Sequence, residues 1–294
     1  MSSLILSILF AVASARESLV VTPAWLAQHL NDPNLVLLHV GDKEGYEAGH
    51  LPGARFAQMS DVSVSDHTEK GLMLEMAPAE ELRKQLEALG ISDDSRVVVY
   101  YGKDWISPST RIVFTLDYAG LGGRSSLLDG GMDAWIANGG VVTKDAPAAK
   151  SGKLTALKTR PIVVDAAFVK SHLGAKGFAV VDARDAEFYS GTKTGGQHGE
   201  KQRTGHVHGA VSLPFVDPYN NVTLKPAADL EALFTKAGVK PSDTVIGYCH
   251  IGQQATAMLF AARTLGHPVL LYDGSFQDWS RHTDYPVDNP AETK

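Results

Sequence analysis

The chain has 294 residues, of which 44% are hydrophobic and 20% are charged, and this is the composition of an ordinary globular protein with about two domains. Its formal net charge at pH 7 is −6, and it has no long run of lysine and arginine. These values argue against a nucleic-acid partner and against a polybasic patch that binds membranes.

The first fifteen residues have the pattern of a secretory signal peptide. Residues 4–13 form an apolar run that is too short to span a bilayer, and Ala13, Ser14 and Ala15 match a cleavage site. We therefore expect a signal peptide at residues 1–15 and a periplasmic or secreted protein without stable membrane association after cleavage. The alternative is a cytoplasmic protein in which this apolar run belongs to the core.

Strand and helix signals alternate in the first half of the chain. A capping residue, Thr22, followed by Pro23 predicts the start of a helix. The predicted elements are, in chain order, a helix from residue 23, a strand at 36–40, a helix from residue 78, a strand at 96–101 and a helix at 108–118.

The second half repeats this order of elements. They are a helix from residue 165, a strand ending at Asp182, a helix near 227–237, a strand that leads into Cys249 and a helix after it. Short apolar strands between helices predict an α/β fold, in which helices cover both faces of a parallel sheet.

Three landmarks recur in both halves. They are a tyrosine (Tyr46 and Tyr189), a Gly-Ala pair (53–54 and 209–210) and a tryptophan (Trp135 and Trp279). A period this long indicates duplicated domains rather than a solenoid. We predict an N-terminal domain at residues 16–142, a linker at 143–160, where the chain is small, polar and proline-containing, and a C-terminal domain at 161–294.

The only cysteine, Cys249, lies where a strand is predicted to meet a helix. An apolar run ends at this residue, and a short loop that contains Gly252 follows. The backbone N–H groups and helix N-terminus of such a turn favour an anion and therefore lower the pKa of a thiol. Gly252 suits the turn because glycine adopts a positive φ readily. The alternative is a small buried side chain without a chemical role.

These landmarks resemble those of the rhodanese family of sulfurtransferases in its tandem-domain form. Residues 50–54, after Tyr46, are similar to the family's N-terminal signature, and residues 272–279 are similar to its C-terminal signature. Residues 249–254 resemble its six-residue active loop. The resemblance implies two doubly wound α/β domains, each with a central parallel sheet flanked by helices.

The resemblance also implies that the C-terminal domain is catalytic. Cys249 matches the family's sulfur-carrying cysteine, and Arg184 matches an arginine near the bound sulfur donor, with Asp182 in a supporting role. The implied substrate-binding residues are Arg184, His250, Ile251, Gly252, Gln253 and Gln254. For Arg184, the alternative is a salt bridge to Asp182 or Asp185.

The first half departs from this catalytic pattern. It has no cysteine, and residues 101–105 occupy the position of the active loop. When the tyrosine landmarks are aligned, His39 and Gly41 stand opposite Asp182 and Arg184. The N-terminal domain therefore resembles the inactive, structural partner of the tandem proteins.

The implied activity is the transfer of sulfane sulfur from a donor such as thiosulfate to cyanide or a thiol, through a persulfide on Cys249. This reaction requires no metal and no organic cofactor. Its partners are a small-molecule donor and acceptor, and a protein thiol is a further candidate acceptor. Three alternatives stay open: a mercaptopyruvate-preferring sulfurtransferase, a persulfide carrier that delivers sulfur to a protein without turnover, and a wholly structural tandem protein.

The predicted active loop differs from that of thiosulfate-specific relatives, which have basic residues directly after the cysteine. His250 and Ile251 occupy these positions here, and a histidine supplies charge only when it is protonated. Residues 193–203 carry basic side chains among glycines. They are either a segment that closes over the site and supplies positive charge or a solvated flexible loop.

Two other kinds of site are not supported by the spacing. A phosphatase of the Cys-x5-Arg class needs an arginine to clamp phosphate, whereas Gln254 and Ala255 stand at that end of the loop. His206 and His208 have metal-ligand character, but no third ligand has a suitable spacing. We therefore predict no metal site.

Overall fold

The computed structural model describes residues 16–103, 106–148, 150–196 and 202–292, and the predicted signal peptide at 1–15 lies outside the described residues. The chain forms two compact units. The N-terminal unit contains the described residues up to Ser63 together with Met76–Arg160 and Tyr219–Leu224. The C-terminal unit contains Val64–Glu75, Pro161–Pro218 and the described residues from Lys225 onwards.

The first half of the chain contains a five-stranded parallel sheet. Its strands and helices are β1 (Val20–Val21), α1 (Pro23–His29), β2 (Leu35–Val40), α2 (Lys43–Ala48), β3 (Arg55–Ala57), β4 (Ser63–Val64), β5 (Glu75–Met76), α3 (Ala79–Ala88), β6 (Arg96–Tyr101), α4 (Ile106–Tyr118), β7 (Ser125–Leu128) and α5 (Gly131–Ala137). The strand order is β1-β7-β6-β2-β3, and β4 pairs separately with β5.

The second half contains a matching sheet. Its strands and helices are β8 (Val163–Val164), α6 (Ala166–Ser171), β9 (Phe178–Asp182), α7 (Ala186–Tyr189), β10 (His206–Val207), β11 (Val211–Ser212), β12 (Tyr219–Asn220), β13 (Thr223–Leu224), α8 (Ala227–Lys236), β14 (Thr244–Tyr248), α9 (Ala255–Thr264), β15 (Val269–Tyr272), α10 (Ser275–Trp279) and β16 (Val287–Asp288). The parallel strands have the order β8-β15-β14-β9-β11. Two antiparallel pairs, β10 with β16 and β12 with β13, lie outside this sheet.

The two sheets have the same topology, since β1, β7, β6, β2 and β3 correspond in order to β8, β15, β14, β9 and β11. This correspondence confirms the duplicated α/β fold that the landmarks and the alternation of elements predict. The central strands are short and apolar because both of their faces are buried.

Local chemistry explains where several helices begin. The Thr22 side chain accepts a hydrogen bond from Trp25 N at 3.1 Å, and Pro23 occupies the first turn of α1. Asp165 caps α6 by accepting from Phe168 N at 2.8 Å. The capping patterns in the sequence are therefore realised in the structure.

The core of each unit forms around the strands and the repeated tryptophan. In the N-terminal unit Trp135 packs with Leu37, Val98, Tyr100 and Leu128. In the C-terminal unit Trp279 packs with Val180, Ile246, Tyr248, Tyr272 and Phe276. Helix α9 runs through the C-terminal unit with nine of its ten residues buried, so its N-terminus and the loop before it are held by the core.

Two short segments cluster with the unit from the other half of the sequence. Residues 64–75 belong to the C-terminal unit, and residues 219–224 belong to the N-terminal unit. The domain ranges expected from the sequence, 16–142 and 161–294, are contiguous and therefore do not assign these two segments to the opposite unit. Residue patterns do not show against which sheet a connecting loop packs. Residues 143–160, the predicted linker, cluster with the N-terminal unit.

Within the described ranges, no helix has the length and apolar character needed to cross a membrane.

Candidate active site

Cys249 follows directly after β14, at the carboxyl end of the parallel sheet, where α/β folds form their binding sites. Strand β14 pairs with β9, and Tyr248 lies opposite Asp182 in this register. The loop 250–254 then leads to α9, which begins at Ala255. The strand–loop–helix turn predicted around the cysteine is therefore present.

The backbone of Cys249 is held by the first turn of α10. Its N–H donates to Ser275 Oγ at 3.1 Å, and its carbonyl accepts from Phe276 N at 3.0 Å. The carbonyl of His250 accepts from Gln277 N at 3.0 Å. The Cys249 amide is thus already bonded within the protein, so only amides further along the loop are available to an anion.

The loop after Cys249 offers such amides. Within the described parts of the chain, the N–H groups of His250, Ile251, Gln254 and Ala255 have no protein acceptor. Gly252 adopts a φ of 81°, the left-handed conformation that the sequence analysis predicts for this glycine. Together with the N-terminus of α9, these groups favour negative charge in the loop.

A cavity of about 400 Å³ adjoins Cys249. Its wall combines loop residues after the cysteine with residues from three other segments: Phe188, Thr194, Gly195, Gly196, Gln202, Cys249, His250, Ile251, Gln253, Gln254 and Gln277. The exposed fraction of Cys249 is 0%, so its thiol is shielded from bulk water although the residue forms part of the wall. A molecule that reaches the sulfur does so inside this cavity.

Arg184 lies beside the site in a buried ion pair. Its Nε is 3.0 Å from Asp182 Oδ1, its Nη2 is 2.6 Å from Asp182 Oδ2, and Nη2 also donates to Gly205 O at 2.8 Å. The guanidinium stacks 4.0 Å from the Phe276 ring. Burial opposes its charge, but the attraction of Asp182 outweighs burial, so the pKa of Arg184 is raised.

Tyr248 completes this buried network. Its hydroxyl donates to Asp182 Oδ2 at 2.8 Å and accepts from Val207 N at 3.1 Å. Burial and the nearby Asp182 carboxylate raise the pKa of Tyr248 well above its usual value. The Asp182 carboxylate therefore serves both Arg184 and Tyr248, and the salt bridge considered as an alternative for Arg184 is present.

His250 lies in the cavity wall and is neutral near pH 7. The pKa of His250 is lowered to about 4, mainly by burial and then by the positive charge of Arg184, with a smaller contribution from Lys193, while Asp182 acts in the opposite direction. The imidazole packs edge-on against the Phe188 ring at 4.5 Å. His250 therefore provides no positive charge to a ligand near neutral pH.

The segment 193–203 borders the cavity through Thr194, Gly195, Gly196 and Gln202. Its two described cations, Lys193 and Arg203, are outside the described wall and contact other groups of the protein. Lys193 Nζ lies 3.5 Å from Glu187 and 5.0 Å from the Phe188 ring centroid. Arg203 Nη1 donates to the carbonyls of His282 and Tyr285 at 3.2 and 2.7 Å. His198 and Lys201, also basic in this segment, lie outside the described residues.

The structure thus assembles some of the predicted binding residues around one cavity and places others beside it. Cys249, His250, Ile251, Gln253 and Gln254 form part of the described wall. Gly252, Arg184 and Asp182 lie outside that wall, with Gly252 shaping the loop and the other two forming the ion pair. Contact between Arg184 and a sulfur donor stays a prediction.

Ser275 and Gln277 are functional candidates that the sequence analysis did not single out. Both lie in the segment 272–279, which the sequence analysis used for the repeat and for the family resemblance but not for the site. The Ser275 hydroxyl accepts a hydrogen bond from the Cys249 N–H. Gln277, with 6% of its surface exposed, lines the cavity. Their role arises because α10 packs against the loop, and no spacing rule relates residues 249 and 275.

The corresponding position in the N-terminal unit holds no thiol. Tyr100 is the equivalent of Tyr248, because its Oη accepts a hydrogen bond from Leu51 N at 3.0 Å as the Tyr248 Oη does from Val207 N. The next residue, Tyr101, therefore occupies the position of Cys249. The Tyr101 hydroxyl donates to Val222 O in the segment 219–224. Gly131, with φ 56°, takes the place of Ser275, and a Cβ there would lie 2.5 Å from Tyr101 O.

His206 and His208 share a carboxylate rather than forming part of a larger ligand cluster. His208 Nδ1 lies 2.8 Å from Asp288 Oδ1, and His206 Nε2 lies 3.7 Å from Asp288 Oδ2. Among the described residues, no group of three or more histidine, cysteine, aspartate or glutamate side chains is placed to hold a metal ion.

Comparison with known proteins identifies the class of this fold and site. The sequence model of the rhodanese-like domain matches residues 22–138 and 165–282, and the chain therefore belongs to the rhodanese family with two such domains. A thiosulfate sulfurtransferase of Pseudomonas aeruginosa is 30% identical over 276 residues, which covers 92% of this chain and 97% of that protein. The chain is a sulfurtransferase of the rhodanese type.

Other relatives carry different names within this family. The 3-mercaptopyruvate sulfurtransferase of Escherichia coli K12 is 28% identical, over 90% of this chain and 95% of that protein. The sulfur carrier protein TtuD of Thermus thermophilus is 28% identical, over 93% of this chain and 97% of that protein. The solved structure of EanB matches the fold with a TM-score of 0.83 and 22% identity, over 94% of this chain and 70% of that one.

Proposed function

We propose that the C-terminal unit transfers sulfane sulfur from a donor such as thiosulfate to a thiophilic acceptor through a persulfide on Cys249. The observation that carries the proposal is the position of the chain's only cysteine, between the end of β14 and the N-terminus of α9, in the wall of a 400 Å³ cavity. Splitting the transfer into two displacements is the general advantage of such covalent catalysis.

In the first step the Cys249 thiolate attacks the outer sulfur of the donor. A bond forms between the two sulfur atoms while the S–S bond of thiosulfate breaks, and sulfite leaves with the electron pair. In the second step cyanide or a thiolate attacks the outer sulfur of the persulfide. The Cys249 thiolate is then released, so that no net oxidation of the protein occurs and no proton-carrying side chain is required.

The loop stabilises the anions in both steps. The amides of His250, Ile251, Gln254 and Ala255 have no acceptor among the described residues. Together with the N-terminus of α9, they provide partial positive charge where thiolate and persulfide form. Because Cys249 is fully buried, these fixed dipoles act on its sulfur in a medium of low dielectric constant. Arg184 acts from outside the described wall, as a buried positive charge already paired with Asp182.

The test is turnover together with the mass of the intermediate. Steady thiocyanate release from thiosulfate and cyanide is expected from the native protein and not from Cys249→Ser. Intact mass after incubation with thiosulfate alone should show the gain of one sulfur atom, removable by cyanide. Unchanged turnover in the serine variant, or no gain of sulfur with either thiosulfate or mercaptopyruvate, would contradict the proposal.

Two alternatives within the same chemistry have specific support. A preference for mercaptopyruvate fits a cavity wall without a described cation, and the relative from Escherichia coli bears that name. A carrier that hands the persulfide to a protein thiol is supported by the relative named as a sulfur carrier. The intact mass of the protein after incubation with thiosulfate or with mercaptopyruvate shows which donor adds sulfur to Cys249 more readily. A protein that gains one equivalent of persulfide but transfers it to no small acceptor would be a carrier.

The proposed location of the protein is the periplasm or the exterior of the cell. Support comes from the apolar run and the Ala-Ser-Ala site within residues 1–15 alone. Expression of the full chain in a bacterial host, followed by fractionation and N-terminal sequencing, is expected to give a product beginning at Arg16. A full-length product confined to the cytoplasm would support the alternative, a cytoplasmic protein.

A further inference from the structure

The cavity beside Cys249 must accommodate the group that leaves the sulfur donor as well as the sulfur atom that is transferred. In the proposed function the loop amides after the cysteine serve the transferred sulfur. No lysine or arginine belongs to the described wall, and its histidine, His250, is neutral near pH 7. Recognition of the leaving group therefore falls to uncharged N–H groups of the wall.

Gln277 presents such an N–H group in a defined orientation. Its Oε1 accepts a hydrogen bond from Met73 N at 3.1 Å. Because only the oxygen of a carboxamide can accept, this bond determines which end of the side chain is the oxygen and which is the amino group. The Nε2 amino group has no acceptor among the described residues, and it is the end left for the cavity that Gln277 lines.

The position of Gln277 relative to the reactive cysteine is held from two sides. The Gln277 N–H donates to the carbonyl of His250, the residue directly after the cysteine, at 3.0 Å. Met73 belongs to the segment 64–75, and Arg281 binds this segment through two of its backbone carbonyls at 2.8 and 3.1 Å. The amino group is therefore oriented before a ligand enters, which lowers the cost of binding.

The duplicated unit provides an internal comparison for this position. The alignment that places Trp135 on Trp279 places Asp133 on Gln277. Asp133 is an exposed residue of α5, and an ionised carboxylate only accepts hydrogen bonds. An N–H group thus stands at this position in the unit with the cysteine, and an acceptor stands there in the other unit.

The charge of the leaving group explains what such an N–H group does. When the Cys249 thiolate attacks thiosulfate, the S–S bond breaks and its electron pair goes to sulfite, whose oxygens gain negative charge. With mercaptopyruvate the C–S bond breaks, and the electron pair goes to the enolate of pyruvate, which carries its charge on oxygen and later takes a proton from water. In both cases a hydrogen bond to that oxygen strengthens as the bond to sulfur breaks, and it thereby accelerates the step.

We propose, building on the sulfur transfer proposed above, that Gln277 determines the specificity for the sulfur donor. Its Nε2 group donates a hydrogen bond to an oxygen of the leaving group. The site therefore favours sulfur donors whose leaving group carries oxygen over sulfur donors whose leaving group contains none.

The experiment compares two inorganic sulfur donors that differ in oxygen. Thiosulfate releases sulfite, whereas sodium disulfide releases hydrosulfide, which has no oxygen. For each compound, rapid quenching followed by intact mass gives the rate constant for the gain of one sulfur atom on Cys249. The quantity of interest is the ratio of the thiosulfate rate constant to the disulfide rate constant.

Two variants, Gln277→Met and Gln277→Leu, remove the N–H group without adding charge. Each is expected to lower this ratio at least about tenfold, because the lost hydrogen bond acts on thiosulfate alone while folding and loop effects act on both compounds. Gln28→Met, at an exposed glutamine of α1, is the matched control and should leave the ratio unchanged. A ratio within twofold of native in either folded variant would overturn the proposal.

The binding of sulfite, the leaving group itself, separates this inference from the proposed function. If no sulfur donor adds sulfur to Cys249, the sulfur-transfer mechanism fails, and calorimetry with sulfite then decides the present proposal. Binding to the native protein that weakens about tenfold in Gln277→Met would support it. Absence of binding at millimolar concentrations, or equal affinity in the variant, would overturn it.

Discussion

At the scale of single residues, the site depends on side chains whose charge is set by burial. Arg184 and Asp182 are 1% and 0% exposed, and each satisfies the other's charge. His250 stays neutral near pH 7, because burial disfavours its charged form and the positive charge of Arg184 lowers its pKa in the same direction. The site therefore contains a charged pair, Arg184 and Asp182, beside an uncharged base, His250.

The buried pair makes a prediction about stability. Asp182→Asn leaves the Arg184 guanidinium without a counter-charge, so the free energy of unfolding should fall by about 3–5 kcal/mol, the usual loss when one partner of a buried pair is removed. Urea denaturation measures this change. Asp284→Asn, which breaks an exposed pair with Lys170, is the control and should leave the midpoint nearly unchanged. Equal midpoints for Asp182→Asn and the native protein would contradict the role of the pair.

His250 makes a prediction about pH. Its pKa of about 4 in the folded state lies below the ordinary 6.5, so the unfolded state binds the proton more readily, and the stabilisation is complete above pH 6.5 and declines as the pH falls towards 4. Relative to His250→Gln, the native protein should therefore lose about 2 kcal/mol between pH 7 and 4.5.

Urea unfolding of both proteins at the two pH values tests this prediction. The comparison also cancels the effect of His39, whose pKa is lowered to about 4 by burial in both proteins. A difference between the two proteins that stays constant with pH would show that His250 titrates normally in the folded state.

At the scale of elements, the site is a strand–loop–helix turn closed by a second helix. Strand β14 delivers Cys249, the loop exposes its amides, and the first turn of α10 binds the backbone of Cys249 and His250. These three hydrogen bonds involve Ser275, Phe276 and Gln277 of α10, so the loop conformation depends on the packing of α10 as well as on the loop's own sequence.

Gly252 makes a prediction at this scale. Its φ of 81° disfavours any side chain, so Gly252→Ala should lower stability by about 1–2 kcal/mol and reorient the loop amides, with a tenfold or larger fall in sulfur transfer. Gly266→Ala is the matched control, since Gly266 has φ 86° just after α9 and open space around its Cβ position. It should lose similar stability and retain activity. Equal activity losses in the two variants would contradict the role of the loop.

At the scale of the whole molecule, duplication has produced two similar units with different contents. Both have the same strand order, but Tyr101, Gly131 and His39 stand where the C-terminal unit has Cys249, Ser275 and Asp182. The Tyr101 hydroxyl is bonded to Val222 in the segment 219–224, which comes from the second half of the chain.

This asymmetry predicts that a thiol alone cannot activate the N-terminal unit. Tyr101→Cys combined with Cys249→Ser should gain no sulfur from thiosulfate, because the unit lacks the Ser275 hydroxyl and the Arg184–Asp182 pair. Intact mass spectrometry provides the measurement, with the native protein as the positive control. A stable gain of sulfur by the double variant would show that the cysteine is sufficient.

Local patterns in the chain predicted a large part of this architecture. The cap at Thr22, the short apolar strands and the recurring tryptophans, Trp135 and Trp279, indicated two parallel α/β domains, and the structure has both sheets in the same order. The position of Cys249 between β14 and α9 and the positive φ of Gly252 follow from neighbours along the chain, where the causes lie within a few residues.

Only the tertiary structure decided the chemical character of the cavity. The neutrality of His250, the pairing of Arg184 and the orientation of Gln277 by Met73 depend on residues far apart in sequence and on the removal of water between them. The sequence by itself determined which elements form and where the thiol lies, because backbone preferences and hydrophobic periodicity are local. Charge state and hydrogen-bond partners are properties of the packed interior, so they were determined when Met73 packed against Gln277, Asp182 against Arg184, and residues 275–277 against Cys249 and His250.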